Sequence, residues 1–150
     1  MSTPLVHSPA DVVRYLLIAM NLGSDPATST VSWPVYATSE PSAPDDVITV
    51  YDTQGMVFGR NMLDGESVEH FGIQIRLRSQ DHATGWKKTK GIARQLDEEI
   101  YQESITIQGS VYCVRSIKRT SSVLVLGKDT PGSKRSIFTL NALCSIRQTV

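Results

Sequence analysis

Three histidines, two cysteines and a scatter of carboxylates are the side chains here best suited to metal or nucleophilic chemistry, and their spacing is poor for either. His7, His70 and His82 form no His-x-x-x-His or His-Glu-x-x-His pair, and no Cys-x-x-Cys is present to complete a metal tetrad. His7 precedes a helix cap, His70 opens a strand and His82 opens a helix, so each reads as a surface or capping residue. Cys113 and Cys144 each sit in an apolar, strand-like run. A thiolate is poorly stabilised there, and the two read as a reduced, buried pair rather than a disulfide. The nucleophile elbow Gly-x-Ser-x-Gly, the phosphate loop Gly-x-x-x-x-Gly-Lys-Ser/Thr and the dinucleotide fingerprint Gly-x-Gly-x-x-Gly are all missing. Asp45, Asp46, Asp52 and Glu69, followed by Gln74 and Arg76, could be drawn together as a metal-dependent nuclease centre. The simpler reading puts Asp45-Asp46 in a proline-rich turn and Asp52 at a strand end. A Ser/His/Asp or Cys/His triad assembles only in the fold, so spacing does not exclude one. The expectation is a non-enzyme with no catalytic, cofactor or metal site.

The elements that would position these residues are clearer. Ser8 can cap a first helix, Pro9 suits its first position, and Asp11 places negative charge in the first turn. Val12, Val13, Leu16, Leu17 and Met20 recur at helical spacing, and Gly23 is the expected stop. Residues 24–31 read as a loop. Residues 33–38 and 47–51 read as strands, joined by a stretch that Pro41 and Pro44 keep out of a sheet interior. In 69–79, Phe71, Ile73, Ile75 and Leu77 alternate with His70, Gln74, Arg76 and Arg78, the pattern of a strand covered on one face only. A second helix is expected from 81 or 82 to about 102, with Ile92, Ala93, Leu96 and Ile100 buried and Trp86 and Thr89 earlier on the stripe. The carboxylates of Asp97, Glu98, Glu99 and Glu103 lie where the helix dipole disfavours them, which calls for a cationic neighbour. Strands at 105–108 and 111–115 flank Gly109-Ser110, compatible with a type II′ turn. A further strand at 117–126, bent near 120–122, a cationic connection at 127–135, and a last strand carrying Phe138, Leu140, Ala142, Cys144 and Ile146 on one face complete the chain. The order predicts a single α+β domain, with a mostly antiparallel sheet and two helices packed on one face.

Length and composition agree. One hundred and fifty residues suit one domain, and 40% apolar with 20% charged residues is too apolar for a disordered chain. No apolar run approaches a membrane span, and residues 1–9 lack a basic-then-apolar leader pattern. The net charge of zero hides a polarity: residues 1–75 hold two basic and nine acidic side chains, residues 76–150 thirteen basic and six acidic. Either the halves interleave into a mixed surface, or they form one acidic and one basic face suited to head-to-tail contact between copies. A non-specific DNA binder would carry a basic surplus, which is absent.

Residues 53–68 form a long segment with Gly55, Gly59 and Gly65, too apolar for a solvated linker. Met56, Val57, Phe58, Met62 and Leu63 either fold back on their own domain as a hairpin or flap, or form an arm that is buried on a neighbouring copy.

An amphipathic helix ending in Leu22-Gly23, then Trp33-Pro34-Val35-Tyr36, then the run from Pro41 to Gly55 with its Val50-Tyr51-Asp52-Thr53, then Phe71 to Arg78 leading into a helix, resembles the tail-terminator or tail-completion (minor capsid) proteins of long-tailed bacteriophages. The resemblance covers most of the chain. It implies a structural virion protein that forms a ring, commonly of six, at the head-proximal end of the tail tube. Such a ring ends tube growth, joins the tail to the neck and leaves a channel for DNA. The implied partners are sister subunits, the tail-tube protein and a neck or head-completion protein, with no membrane and no cofactor. The implied location is the neck-proximal tail of the virion, after assembly in the host cytoplasm. Candidates for the subunit interface are Arg76, Arg78, Met56, Phe58, Met62 and Leu63. The arginines either pair with carboxylates of the next subunit, the favoured reading, or line the channel. Lys128, Lys134 and Arg135 are candidates for contact with tube or neck, unless 127–135 is an ordinary solvated hairpin tip. Alternatives are a tail-tube or head–tail connector subunit, a small metal-dependent phage nuclease, and a binding module without phage context.

Overall fold

A first helix, α1 (Pro9–Ala19), starts where its chemistry allows. The Ser8 hydroxyl accepts from the Asp11 amide at 3.4 Å, and Asp52 reaches across from a strand to accept from the Ala10 amide at 2.9 Å. Two of the helix's otherwise unpartnered first-turn donors are thereby satisfied. The computed structural model describes residues 5–27, 32–42, 44–60, 62–63 and 67–149. The expected loop at 24–31 lies outside these from residue 28 on, as do residues 1–4 of the N-terminal stretch, Ala43 in the proline-rich joint, and residues 61 and 64–66 of the long segment.

Seven strands and a second helix follow: β1 (Val35–Ala37), β2 (Val47–Arg60), β3 (Ser67–Ser79), α2 (His82–Glu98), β4 (Glu103–Ile107), β5 (Ser110–Arg119), β6 (Leu124–Lys128) and β7 (Ser136–Thr149). They make one sheet in the order β1-β2-β3-β7-β5-β4, with β6 also on β7. Ile48 and Val50, Ile73, Ile75 and Leu77, Phe138, Leu140 and Ala142, and Val114 and Ile117 are buried on one face with the apolar sides of both helices. α1 packs against β1, β2 and β3 and also against β4 at the far end of the sheet. The sheet is therefore curled into a half-barrel around it.

The expected mostly antiparallel sheet needs correction. Strand outweighs helix by more than two to one, and the sheet is mixed: β1 runs parallel to β2, pairing Val35 with Ile48 and Ala37 with Val50. The nine-residue joint is no tight turn. Thr38 takes a left-handed φ of 68°, donates its amide to the Val50 carbonyl, and sends the chain back across the sheet before β2 begins. Parallel neighbours usually need a dozen or more connecting residues. With β1 only three residues long, nine are enough. The two helices on one face stand.

Other boundaries shift for local reasons. α1 stops at Met20, not Gly23: Asn21 takes the left-handed conformation (φ 59°), and the Leu22 and Asn21 amides bond back to the Leu17 and Ile18 carbonyls. Gly23 is needed instead for close approach, because a Cβ there would strike Val35 and the Trp33 carbonyl. α2 ends at Glu98, four residues earlier than expected, and β4 begins at Glu103. The β4–β5 turn is centred one residue earlier than expected, on Gln108 and Gly109. Both have positive φ (48° and 84°), which is type I′ and matches the twist of the flanking strands. The strand expected at 117–126 is the end of β5 and then β6, both antiparallel to β7 and separated by 120–123.

The cationic neighbour that the C-terminal carboxylates of α2 require is Arg119 of β5, whose guanidinium lies 2.8 Å from Asp97. Arg94 pairs with Glu98 at 3.2 Å. At its other end α2 lies tight on the sheet through Gly85, since a Cβ there would run into the Phe138 ring and sit 2.8 Å from the Ser79 Cβ. Gly85→Ala is expected to lower folding stability by about 1–3 kcal/mol, the cost of overpacking a filled core. Urea unfolding followed by circular dichroism measures it.

Candidate functional site

The face of the sheet that the helices leave uncovered carries the charges. Arg76 and Arg78 project from β3 on this side, two residues apart and alternating with the buried Ile75 and Leu77. The return from β1 to β2 lays Glu40 over them. Its carboxylate lies 3.4 Å from Arg76 Nε and 3.7 Å from Arg78 Nη1. Arg78, with only 5% of its side chain exposed, also donates to the carbonyls of Pro44 (2.7 Å) and Asp45 (3.3 Å), stapling the joint to the sheet. Arg76 keeps 32% of its side chain exposed. Glu40 Oε1, Arg76 Nε and the neighbouring Thr49 hydroxyl are buried without a hydrogen bond, so charge holds this cluster together more than directed bonding does. Tyr51 lies beside it, one register step from Arg76. Burial raises its pKa, Glu40 raises it further, and the two arginines oppose both.

The cationic hairpin between β6 and β7 joins the same network. Arg135 pairs with Asp129 at 2.6 Å and donates to the Ser42 carbonyl at 2.8 Å, with Asp45 at 3.7 Å. The Ser133 hydroxyl, more than Arg135, lowers the Asp129 pKa. Lys128 reaches the Lys134 carbonyl (3.3 Å) and the Ser136 hydroxyl (3.2 Å), while Lys134 is exposed. Of the charged candidates, Arg78 and Arg135 are thus engaged within their own chain. Arg76, Lys128 and Lys134 retain exposed surface. Glu40 is the residue that reasoning from sequence missed. Its signal was a carboxylate directly before Pro41 in a proline-stiffened joint, with two arginines at strand spacing elsewhere. The pairs Arg76–Glu40, Arg78–Glu40 and Arg135–Asp45 also stitch the acidic half of the chain to the basic half.

The segment 53–68 is mostly strand where it is described. β2 runs on to Arg60 and β3 begins at Ser67, and the two pair from Val47–Arg78 out to Arg60–Ser67. β1 leaves β2 after Val50, and β7 joins β3 only from Phe71 onward. Beyond those points the pair continues as a two-stranded ribbon. It bends at bulges after Thr53 and Val57. Gly55 and Gly72 let the strands cross closely, because a Cβ on either would strike the opposite backbone. The ribbon exposes Met56 (50%), Val57 (72%) and Phe58 (55%), and at its end Met62 and Leu63 (97% each). Phe58 makes one edge-on ring contact, with His70 of the same ribbon. The apolar interface candidates therefore gather on one projecting arm.

The groups considered for chemistry are dispersed. Asp46 accepts from the Ser79 hydroxyl and the Gln80 amide, Asp52 caps α1, Asp45 faces Arg135, and Glu69 lies on the ribbon. His7 meets the Tyr112 hydroxyl, His82 stacks near Phe138, and among the described residues no three His, Cys, Asp or Glu side chains come together as a metal site. Cys113 and Cys144 are free and point to opposite faces of the sheet. Burial, with Asp52 adding to it, pushes the Cys144 thiol up to about 12, so it is protonated at neutral pH.

Glu40→Gln leaves Arg76 and Arg78 without their shared counter-charge. It is expected to cost roughly 1–3 kcal/mol, the range for stranding a buried polar partner. The same change should lower the pKa of Tyr51, since the two arginines then favour the phenolate unopposed. In the parent, the raised folded-state value means that this contribution is complete below the unfolded tyrosine pKa and is lost as pH climbs through the folded one. Chemical unfolding and difference spectrophotometric titration of the tyrosines read the two effects.

The family of bacteriophage tail terminator proteins matches residues 16–147, from the middle of α1 almost to the end of β7. No curated protein matches the chain. The matched span takes in every strand of the sheet but the last two residues of β7, the charge network and the arm, and on that extent of similarity the chain belongs to the bacteriophage tail terminator family.

Proposed function

We propose that this tail protein closes with copies of itself into a ring, six being the number its resemblance implies, at the head-proximal end of the tail tube. There it ends tube polymerisation, meets a neck or head-completion protein and leaves a channel for DNA. One observation within the chain carries the reading beyond family membership: a β-ribbon that leaves the sheet and holds its apolar side chains in solvent. Contiguous exposed apolar surface of this kind is a mark of an interaction site. Each side chain buried there contributes roughly 1.5–3 kcal/mol before ordering costs are counted.

Each surface has a distinct task in this reading. The arm spans the seam to the next subunit, where Met56, Phe58, Met62 and Leu63 are covered. Arg76 supplies charge at the seam, whereas Arg78 and Arg135 hold the subunit's own joint. Lys128 and Lys134 face the tube or the neck. The ring is assembled in the host cytoplasm and stays in the neck-proximal part of the virion tail.

Negative-stain images of the purified protein are expected to show closed rings of one diameter. Long fibres would identify a tube subunit instead, and a monomer at every concentration would refute the proposal. Lys134→Glu is expected to leave rings intact while lowering the yield of infectious particles when purified heads and tails are mixed. Undiminished joining would remove the β6–β7 hairpin from the tube or neck contact.

A further inference from the structure

The outer face of α2 concentrates positive charge. Gly85, Thr89, Ile92, Ala93 and Leu96 are buried against the sheet. At about 100° of turn per residue, Lys87, Lys90, Gly91 and Arg94 fall on the opposite side, and all four are exposed. Lys88 stands half-buried at the edge of this face. From His82 to Leu96 the helix holds Lys87, Lys88, Lys90 and Arg94 and no carboxylate. Among the described residues the three lysines make no ion pair, and Arg94 has the exposed Glu98 at 3.2 Å. Two tryptophans flank the face. The Lys90 ammonium lies 5.2 Å from the ring centroid of Trp86, and that of Lys88 lies 5.8 Å from the ring centroid of Trp33. A ring attracts an ammonium group but carries no net charge to neutralise it.

Gly91 adds a second, independent observation. It stands mid-helix, four residues after Lys87 and three before Arg94, and a Cβ there would meet nothing within 4 Å. Glycine weakens a helix interior relative to alanine, and the packing of the described residues does not call for it at this position. What it gives an exposed helix face is a notch where the backbone of another molecule can approach closely. Lys87, Lys90 and Arg94 border that notch.

We propose that this face of α2 docks the sugar–phosphate backbone of duplex DNA, one strand running over Gly91 with Lys87, Lys90 and Arg94 on its phosphates. This rests on the reading of the chain as a ring that DNA passes through, and it names the surface turned toward the channel. The chemistry favours DNA over an acidic protein. Cores of protein interfaces are poor in lysine, and this notch is bordered by it. Lys87 to Arg94 covers about 10 Å of helix axis, a length over which duplex DNA presents about six phosphates. With the chain's net charge at zero the attraction is local, so the hold is weak and yields to salt. Such a surface guides DNA without arresting it.

Fluorescence anisotropy of a short labelled duplex, titrated with the purified protein at rising salt, tests it. Lys87→Gln combined with Lys90→Gln is expected to weaken binding at least ~10-fold at low salt. It should also flatten the slope of log affinity against log salt by about two for each subunit in contact. Gly91→Glu, which sets a carboxylate among the cations in open space, is expected to abolish binding while melting at or above the parent temperature. Binding that survives both variants would overturn the proposal. So would displacement of the duplex by poly-glutamate at equal charge, which would assign the face to an acidic protein. Loss of the oligomer in light scattering by Gly91→Glu would make α2 a seam between copies and overturn it as well. Closed rings that bind no DNA would overturn this contact and leave the ring standing. A monomeric parent that binds through α2 would overturn the ring and leave the docking of DNA on this helix.

Discussion

A curled sheet has a hollow that must be filled, and in this protein α1 fills it. Its apolar side, Val12, Val13, Leu16 and Leu17, is at most 1% exposed because it touches strands from both ends of the sheet order. The start of the helix is laced to three separate strands. Asp52 of β2 receives the Ala10 amide, the Tyr112 hydroxyl of β5 receives the His7 amide, and the Gln148 side chain of β7 receives the Val6 amide. Curvature, helix position and the direction of the chain entering α1 are therefore one coupled arrangement. A flatter sheet would strand the first-turn donors and open the core together.

The convex side follows from the same constraint. With both helices committed to the hollow, the described residues cover the outer face with side chains, the return from β1 to β2 and the β6–β7 hairpin. The return from β1 to β2 does that work at one end, where Glu40 sits between two arginines. The central positions Gln74 and Asn141 bond to each other at 3.2 Å. Charges that look available in a list of residues are in part consumed here. Arg78 and Arg135 fix a joint of their own chain, whereas Arg76, Lys128 and Lys134 keep more of their surface exposed.

Much of this was legible in the amino-acid pattern because it depends on short-range rules. The Ser8 cap, the helical stripe of α1, and the alternations along β3 and β7 each follow from neighbours within a few residues. What was not legible depends on distant partners. The parallel pairing of β1 needs β2 in place, and the run of β2 to Arg60 needs β3 beside it, so glycines that suggest a loop are instead bulge and crossing points. The helix stop was misplaced because Asn21 and Gly23 both suit a left-handed residue, and packing against Val35 claims the glycine. Of the candidate surfaces, the apolar arm was visible as composition, whereas the pairing of Arg78 with a loop more than thirty residues away was not.

The ribbon has a bearing on how such a protein diversifies. Past Thr53 and Phe71 its described residues share no strand pairing with the rest of the sheet, and Met62 and Leu63 at its end lie outside the core. Substitutions there escape the selection that folding imposes on Leu16 or Phe138. Met62 and Leu63 can therefore change without disturbing the scaffold beneath, so the surface chemistry of the arm and the stability of the fold are set by different side chains.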